Sequence, residues 1–223
     1  MATREDGGSD VVRLPPGRHG LSRDTVAESQ RQRLLNAVVE TVVEHGYNAT
    51  TIAQLIEAAS VSRRTFYELF DDKEDLFLAA YAMIVEHLQG ALREAEAEGG
   101  DGWPGQLRAE LEALLRIFAA DPTVARFVLL ESLAAGGPVA TRHREALRCF
   151  AAILRPEPID PGDPLAAARE QALVGGISTL VARRLKSGGA AGLEDLLPDV
   201  YELVLTSYLG RSEAQRLAKA SAA

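Results

Sequence analysis

From about residue 22 onward, apolar residues recur every three or four positions, and no run alternates with the two-residue period of a strand. The buried surfaces such a chain can build are helix faces, so an all-α fold is expected. The first clear example is Leu35, Val38, Val39, Val42 and Val43, a single stripe that starts after a possible N-cap at Ser22 and stops at Gly46. Thr51 and Gln54 then stand in capping-box register before Ile52, Leu55, Ile56 and Ala59, which gives a short second helix ending near Ser60. After the three-residue link of Ser60, Val61 and Ser62, a third short helix over Arg63 to about Phe70 turns Phe66, Leu69 and Phe70 inward. Two short helices joined by so tight a link form a helix-turn-helix.

Asp71 or Asp72 caps a long fourth helix, whose Leu76, Phe77, Ala80, Tyr81, Ile84, Val85 and Leu88 make one stripe before Glu98, Gly99 and Gly100 break it. Beyond it, helices are predicted near Trp103 to Ala119, Pro122 to Ala134, Val139 to Leu154, Pro164 to Lys186 and Leu193 to Leu209. Two of these begin at Asp-Pro pairs, Asp121-Pro122 and Asp163-Pro164, where the carboxylate caps and the proline sits at the first helical position. The first twenty residues, rich in Pro, Gly and charge, lack any such period and read as a disordered arm. The organisation expected is an arm over 1–21, a helix-turn-helix domain over 22–72 and a larger helical domain over 73–223.

The block from Thr50 to Phe77, TTIAQLIEAASVSRRTFYELFDDKEDLF, resembles the DNA-binding signature of the TetR family of bacterial repressors, through Thr65, Phe66, Tyr67, Phe70, Lys73, Glu74 and Leu76. The specific likeness covers roughly residues 22 to 80. One position departs from the pattern: the family commonly has glycine before the turn's Val, where this chain has Ser60. The resemblance implies that the third helix lies in the major groove, where Arg63 or Arg64 can pair with guanine O6 and N7 or else hold a phosphate. By the same resemblance, Thr50, Thr51, Ser62, Tyr67 and Lys73 match positions that commonly contact the DNA backbone, with Thr65 on the same helix. One such helix reads too little sequence alone, so a homodimer on a palindromic double-stranded operator is expected, with half-sites about 34–36 Å apart.

A formal net charge of -8 argues against indiscriminate nucleic-acid binding, but from Val11 to Tyr67 seven basic residues outnumber five acidic ones. The acidic excess lies elsewhere. In the second domain the resemblance implies that the last two helices pair with a mate, and the small residues Gly175 and Gly176 beside Ile177, Leu180 and Leu203 suit that packing. Tyr81, Trp103, Phe118, Phe127 and Phe150 are candidates for an effector pocket, although aromatic residues at this spacing also serve as plain core. The scarcity of charge on these faces points to an apolar or aromatic effector. No cofactor and no metal are expected: the single cysteine, Cys149, and the histidines show no ligand spacing. With no leader-like or membrane-spanning run, a cytoplasmic protein is expected. The reading is a transcriptional repressor released by a small molecule. Its alternatives are an activator using the same domain, or a helical ligand-binding or enzymatic protein, the last without any recognisable catalytic motif.

Overall fold

The computed structural model describes residues 23–100, 102–156, 163–188 and 192–220, and among these every regular element is helical. The arm at 1–21 and Ser22 lie outside the described residues. Helix α1 runs Arg23–His45, α2 Ile52–Ala58, α3 Arg63–Leu69 and α4 Lys73–Glu98. Gly46 ends α1 at φ +84°, a left-handed conformation in which a side chain is strained. At α2 both halves of the capping box form: the Thr51 hydroxyl accepts from the Gln54 N–H, and the Gln54 side chain accepts from the Thr51 N–H. Ser62 caps α3 by accepting from Thr65 N–H, and Asp72 caps α4 by accepting from Asp75 N–H.

Helix α5 spans Trp103–Ala120, and α6 begins at Pro122 with the Asp121 carboxylate accepting from Thr123 and Val124. The predicted helix from 122 onward is not uniform. It is α6 (Pro122–Arg126), a π-helical turn over Phe127–Glu131, and α7 (Ser132–Ala135). Next come α8 (Gly137–Ile153), α9 (Ala166–Gly188), a 3₁₀ turn over Glu194–Leu196 and α10 (Leu197–Leu209). At Asp163 the carboxylate accepts from Leu165 N–H as expected, but α9 begins two residues beyond Pro164 because residues 164–165 form a turn first. A further helix, α11 (Arg211–Ala220), follows Gly210 and seats Ala214 in the core beside Leu217 and Ala218. Sequence periodicity missed it because only those three small or single apolar residues mark its inner face.

Two clusters of buried side chains hold these helices together. The first joins α1, α2, α3 and α4 through Leu34, Leu55, Phe66 and Leu76, and continues into Leu115, Phe127 and Val181 of the helical domain. The boundary expected at residue 72 therefore crosses a continuous core: Phe77 of α4 meets Tyr47 edge-on at 5.1 Å and stacks on Phe127 at 4.3 Å. The second cluster, around Leu107, Leu111, Leu173, Tyr201 and Val204, closes the far end.

Ser60 is the one non-glycine residue at positive φ among the described residues, at φ 51°, and its carbonyl accepts a hydrogen bond from the Arg33 guanidinium at 3.2 Å. The tight link between α2 and α3 needs this left-handed turn, which a Cβ makes costly. Ser60→Gly should raise stability by roughly 0.5–1 kcal/mol, the relief of left-handed strain exceeding the entropy glycine adds to the unfolded chain. Urea unfolding of the two proteins measures the difference.

Candidate functional site

One face of the short helix α3 is open to solvent. Phe66 and Phe70 are buried beneath it, while Ser62, Arg63, Arg64, Tyr67 and Glu68 are exposed. Arg64 projects from it, its side chain 89% exposed and paired with Glu68 one turn on, at 2.8 Å. Arg63 lies over the Tyr67 ring, 5.8 Å from its centroid, and Tyr67 is 48% exposed despite being aromatic. The Thr65 hydroxyl sits 2.8 Å from that of Ser62 at the head of the helix, and Thr51 is exposed at the head of α2. Six of the eight expected DNA-contact residues are thus exposed or half-exposed on the α2–α3 unit.

The other two are engaged inside. Thr50 is only 2% exposed, and its hydroxyl donates to the Gly46 carbonyl at 2.9 Å while its N–H donates to the same oxygen. Neither group of Thr50 is free for a phosphate in this arrangement, so its role is to close the turn after α1. Lys73 sends its ammonium back across that turn, donating to Tyr47 O at 2.7 Å and Thr50 O at 2.9 Å with the Tyr47 ring 4.3 Å away. Burial lowers the Lys73 pKa. Two of its three N–H bonds are committed, and the residue pins α4 to the α1–α2 turn.

The helical domain encloses a narrow apolar cavity of about 70 Å³ between α4, α5, α8 and α9. Tyr81, Phe118 and Phe150 line it as expected. Phe127 does not: it is fully buried and stacked on Phe77, so it is core. Ile177 lines the same cavity from α9, which places it inside the chain rather than on the outer face where a mate would pack. Trp103 borders a second, more polar recess of about 680 Å³, which shares Leu92, Glu110, Phe150 and Ile153 with the cavity.

Two titratable groups stand in this otherwise apolar wall, both in their neutral form at neutral pH. Glu110 is buried on the apolar stripe of Leu107, Leu111, Leu114 and Phe118, and burial, helped by the nearby Glu96 carboxylate, pushes its pKa up to about 8. It is therefore mostly protonated at neutral pH. His143 is equally buried and held neutral by desolvation. Its Nδ1 lies 2.8 Å from the Tyr81 hydroxyl and 3.2 Å from Ser132 Oγ. Ser132 donates its proton to the Val128 carbonyl, so towards Nδ1 its oxygen can only accept, and the direction of the Tyr81 bond follows the imidazole tautomer. Both residues were detectable in sequence as polar positions at the centre of an otherwise apolar helix stripe.

The cavity wall and the α1–α2 turn are also joined. Val128 and Leu129 of the π-helical turn line the cavity, and Glu131, which ends it, accepts the Tyr47 N–H at 3.1 Å. Tyr47 is the residue whose carbonyl Lys73 holds. A π-helical turn is a rare local geometry that often marks a functional position.

These features define a helix-turn-helix DNA-binding domain fused to a helical domain with an internal cavity. Residues 34–80, the span from within α1 to within α4, match the family model of bacterial regulatory proteins, tetR family. It is 33% identical over 86 residues to the transcriptional activator FasR of Mycolicibacterium smegmatis, a match covering 39% of each chain. It is 34% identical over 84 residues to the transcriptional repressor AcnR of Corynebacterium glutamicum, covering 38% of this chain and 42% of the relative. The match thus spans about two fifths of the length of these curated relatives. The regulator FadR from Bacillus subtilis, solved in complex with stearoyl-CoA, shares the fold with a TM-score of 0.63 at 18% identity, over 79% of this chain and 98% of that one. Among the described residues no helix is long and apolar enough to cross a membrane.

Because Glu110 binds its proton more tightly folded than unfolded, stability should fall as pH rises from its ordinary 4.5 to about 8, where the folded state must hold a buried charge. The loss is a few kcal/mol at most. Glu110→Gln should remove this slope from urea midpoints taken across the range.

Proposed function

We propose that the chain is a transcriptional regulator that binds a palindromic operator as a homodimer and whose DNA affinity is set by a small molecule in the helical domain. The observation that carries this reading is the exposed face of α3, where Arg63, Arg64 and Tyr67 project from a helix whose other side is anchored by Phe66 and Phe70. A helix in this setting can enter a major groove with its N-terminal residues nearest the bases. Arg64 suits base readout, since a guanidinium gives bidentate hydrogen bonds to guanine. Ser62, Thr65 and Tyr67 offer hydroxyls and Thr51 a further one for phosphate oxygens, contacts that position without specifying. Arg63, stacked on Tyr67, fits either task. Thr50 and Lys73 act indirectly, by fixing the turn that orients α2 against α4.

Dimerisation is supported by the outer faces of α9 and α10. Gly175 and Gly176 are exposed, with open space where a Cβ would stand, and Leu180 is half-buried beside them. Leu203 of α10 is 42% exposed, a large apolar side chain left facing outward. Close approach of a mate's helices would cover all four. The relatives include both a repressor and an activator. Repression is favoured here, with release when the effector binds, and the stearoyl-CoA complex of the B. subtilis protein supports a small molecule inside this fold. Function as a cytoplasmic, non-enzymatic protein accords with this reading. The arrangement of Ser132 and His143 does not favour an enzyme, since the serine proton is committed to a carbonyl and no carboxylate orients the imidazole among the described residues.

Selection from random duplexes should return a two-fold symmetric sequence. On that duplex Arg64→Ala should lose about tenfold or more in affinity and one base preference per half-site, with unchanged unfolding, because its surface ion pair contributes little. Tyr67→Phe should weaken binding several-fold without altering the preference. Enrichment of no sequence at low salt contradicts the proposal.

A further inference from the structure

Among the described residues, three buried polar side-chain atoms have no hydrogen-bond partner: Trp103 Nε1, Arg155 Nε and the Tyr208 hydroxyl. Buried donors are rarely left unpaired, because each forfeits its bond to water. These three gather in one region. The Trp103 and Tyr208 rings meet edge-on at 5.5 Å, and Trp103 and Arg155 both border the polar recess of about 680 Å³. Arg155 Nη1 donates to Glu170 at 3.5 Å, while the buried Nε has no partner. Arg93 borders the recess as well, and so does Glu96, so the cationic groups are partly offset.

The recess and the apolar cavity share a wall of Leu92, Glu110, Phe150 and Ile153. Glu110, protonated at neutral pH, adds an O–H donor at this junction. The unpaired groups on the recess side are therefore chiefly donors, and beyond the junction everything but His143, Tyr81 and Ser178 is hydrocarbon. A carboxylate is the complementary group, being acceptor-only with room for several donors.

We propose that this junction binds an alkyl carboxylate, its head meeting the Trp103 and Arg155 N–H groups in the recess and its chain passing Leu92 and Phe150 into the cavity. This rests on the reading of the helical domain as an effector domain and names the chemical class that domain takes. At about 70 Å³ the cavity holds only a few methylenes as it stands, so a longer chain must displace its aliphatic walls.

Trp103 is the single tryptophan and reports the site directly. Dodecanoate, methyl dodecanoate, dodecanol and dodecylamine, each below its aggregation threshold, are titrated into the full-length protein and followed by Trp103 emission and calorimetry. Dodecanoate should saturate at one per chain and shift the emission, and the other three should bind at least about tenfold more weakly, the factor expected for a lost charge-assisted hydrogen bond. Trp103→Phe, which removes the N–H and leaves a smaller aromatic ring against Tyr208, should weaken dodecanoate about tenfold by calorimetry while leaving the affinity for dodecanol within about twofold. Equal affinity for all four heads, no saturable binding of dodecanoate, or an unaltered Trp103→Phe affinity overturns the proposal. Binding of dodecanoate that leaves operator affinity unchanged would instead overturn the effector-domain reading while leaving this site standing.

Discussion

The Lys73 ammonium is the knot on which the arrangement of the molecule depends. It is the first residue of α4, yet it reaches back to the carbonyls of Tyr47 and Thr50 and rests against the Tyr47 ring. A cation at a helix N-terminus is unfavourable to the helix dipole, so its placement has to be offset by those two charge-assisted bonds and the ring. The return is geometric. The turn that starts α2 cannot shift relative to α4, and α3, locked to α2 through Ser60 and the buried Phe66, follows it. The position of the exposed arginines is thereby tied to the longest helix of the chain.

That knot has a second strand. Glu131 takes the Tyr47 N–H while Lys73 takes the Tyr47 carbonyl, so one residue of the α1–α2 turn is gripped from α4 and from the π-helical turn at once. The same turn contributes Val128 and Leu129 to the cavity wall, and its first residue, Phe127, stacks on Phe77 of α4. An occupant that pushes on this wall has a continuous, packed route to the DNA-reading face. A π-helical turn carries one residue more than the α-helix around it can place, so relaxing it moves everything bonded to its end. For such an occupant to alter DNA binding, it must prefer one position of that turn over another.

Much of this was legible in the residues. The capping box at Thr51 and Gln54, the caps at Asp72 and Asp121 and the tight link at Ser60 are local chemistry, and the structure forms each where the pattern puts it. What escaped were pairings between distant segments and residues with two readings. Thr50 and Lys73 are polar and stand in a DNA-contact motif, but only the folded turn reveals that their polar groups face inward. Phe127 differs from Phe150 in no sequence property, nor does Ile177 from Leu180, and whether such a residue lines a void, fills the core or faces outward is decided by packing. Glu110 and His143 were the missed clue: a polar residue in the middle of an apolar stripe marks either a fault in the helix register or a buried site.

The central claim is that two copies of α3 read two half-sites of one duplex. Hydroxyl-radical footprinting of the selected duplex tests it most directly. The account predicts two protected segments related by a dyad, with centres about one helical turn of 10–10.5 base pairs apart, or a whole number of turns. A single protected segment, or uniform protection without a dyad, would contradict it.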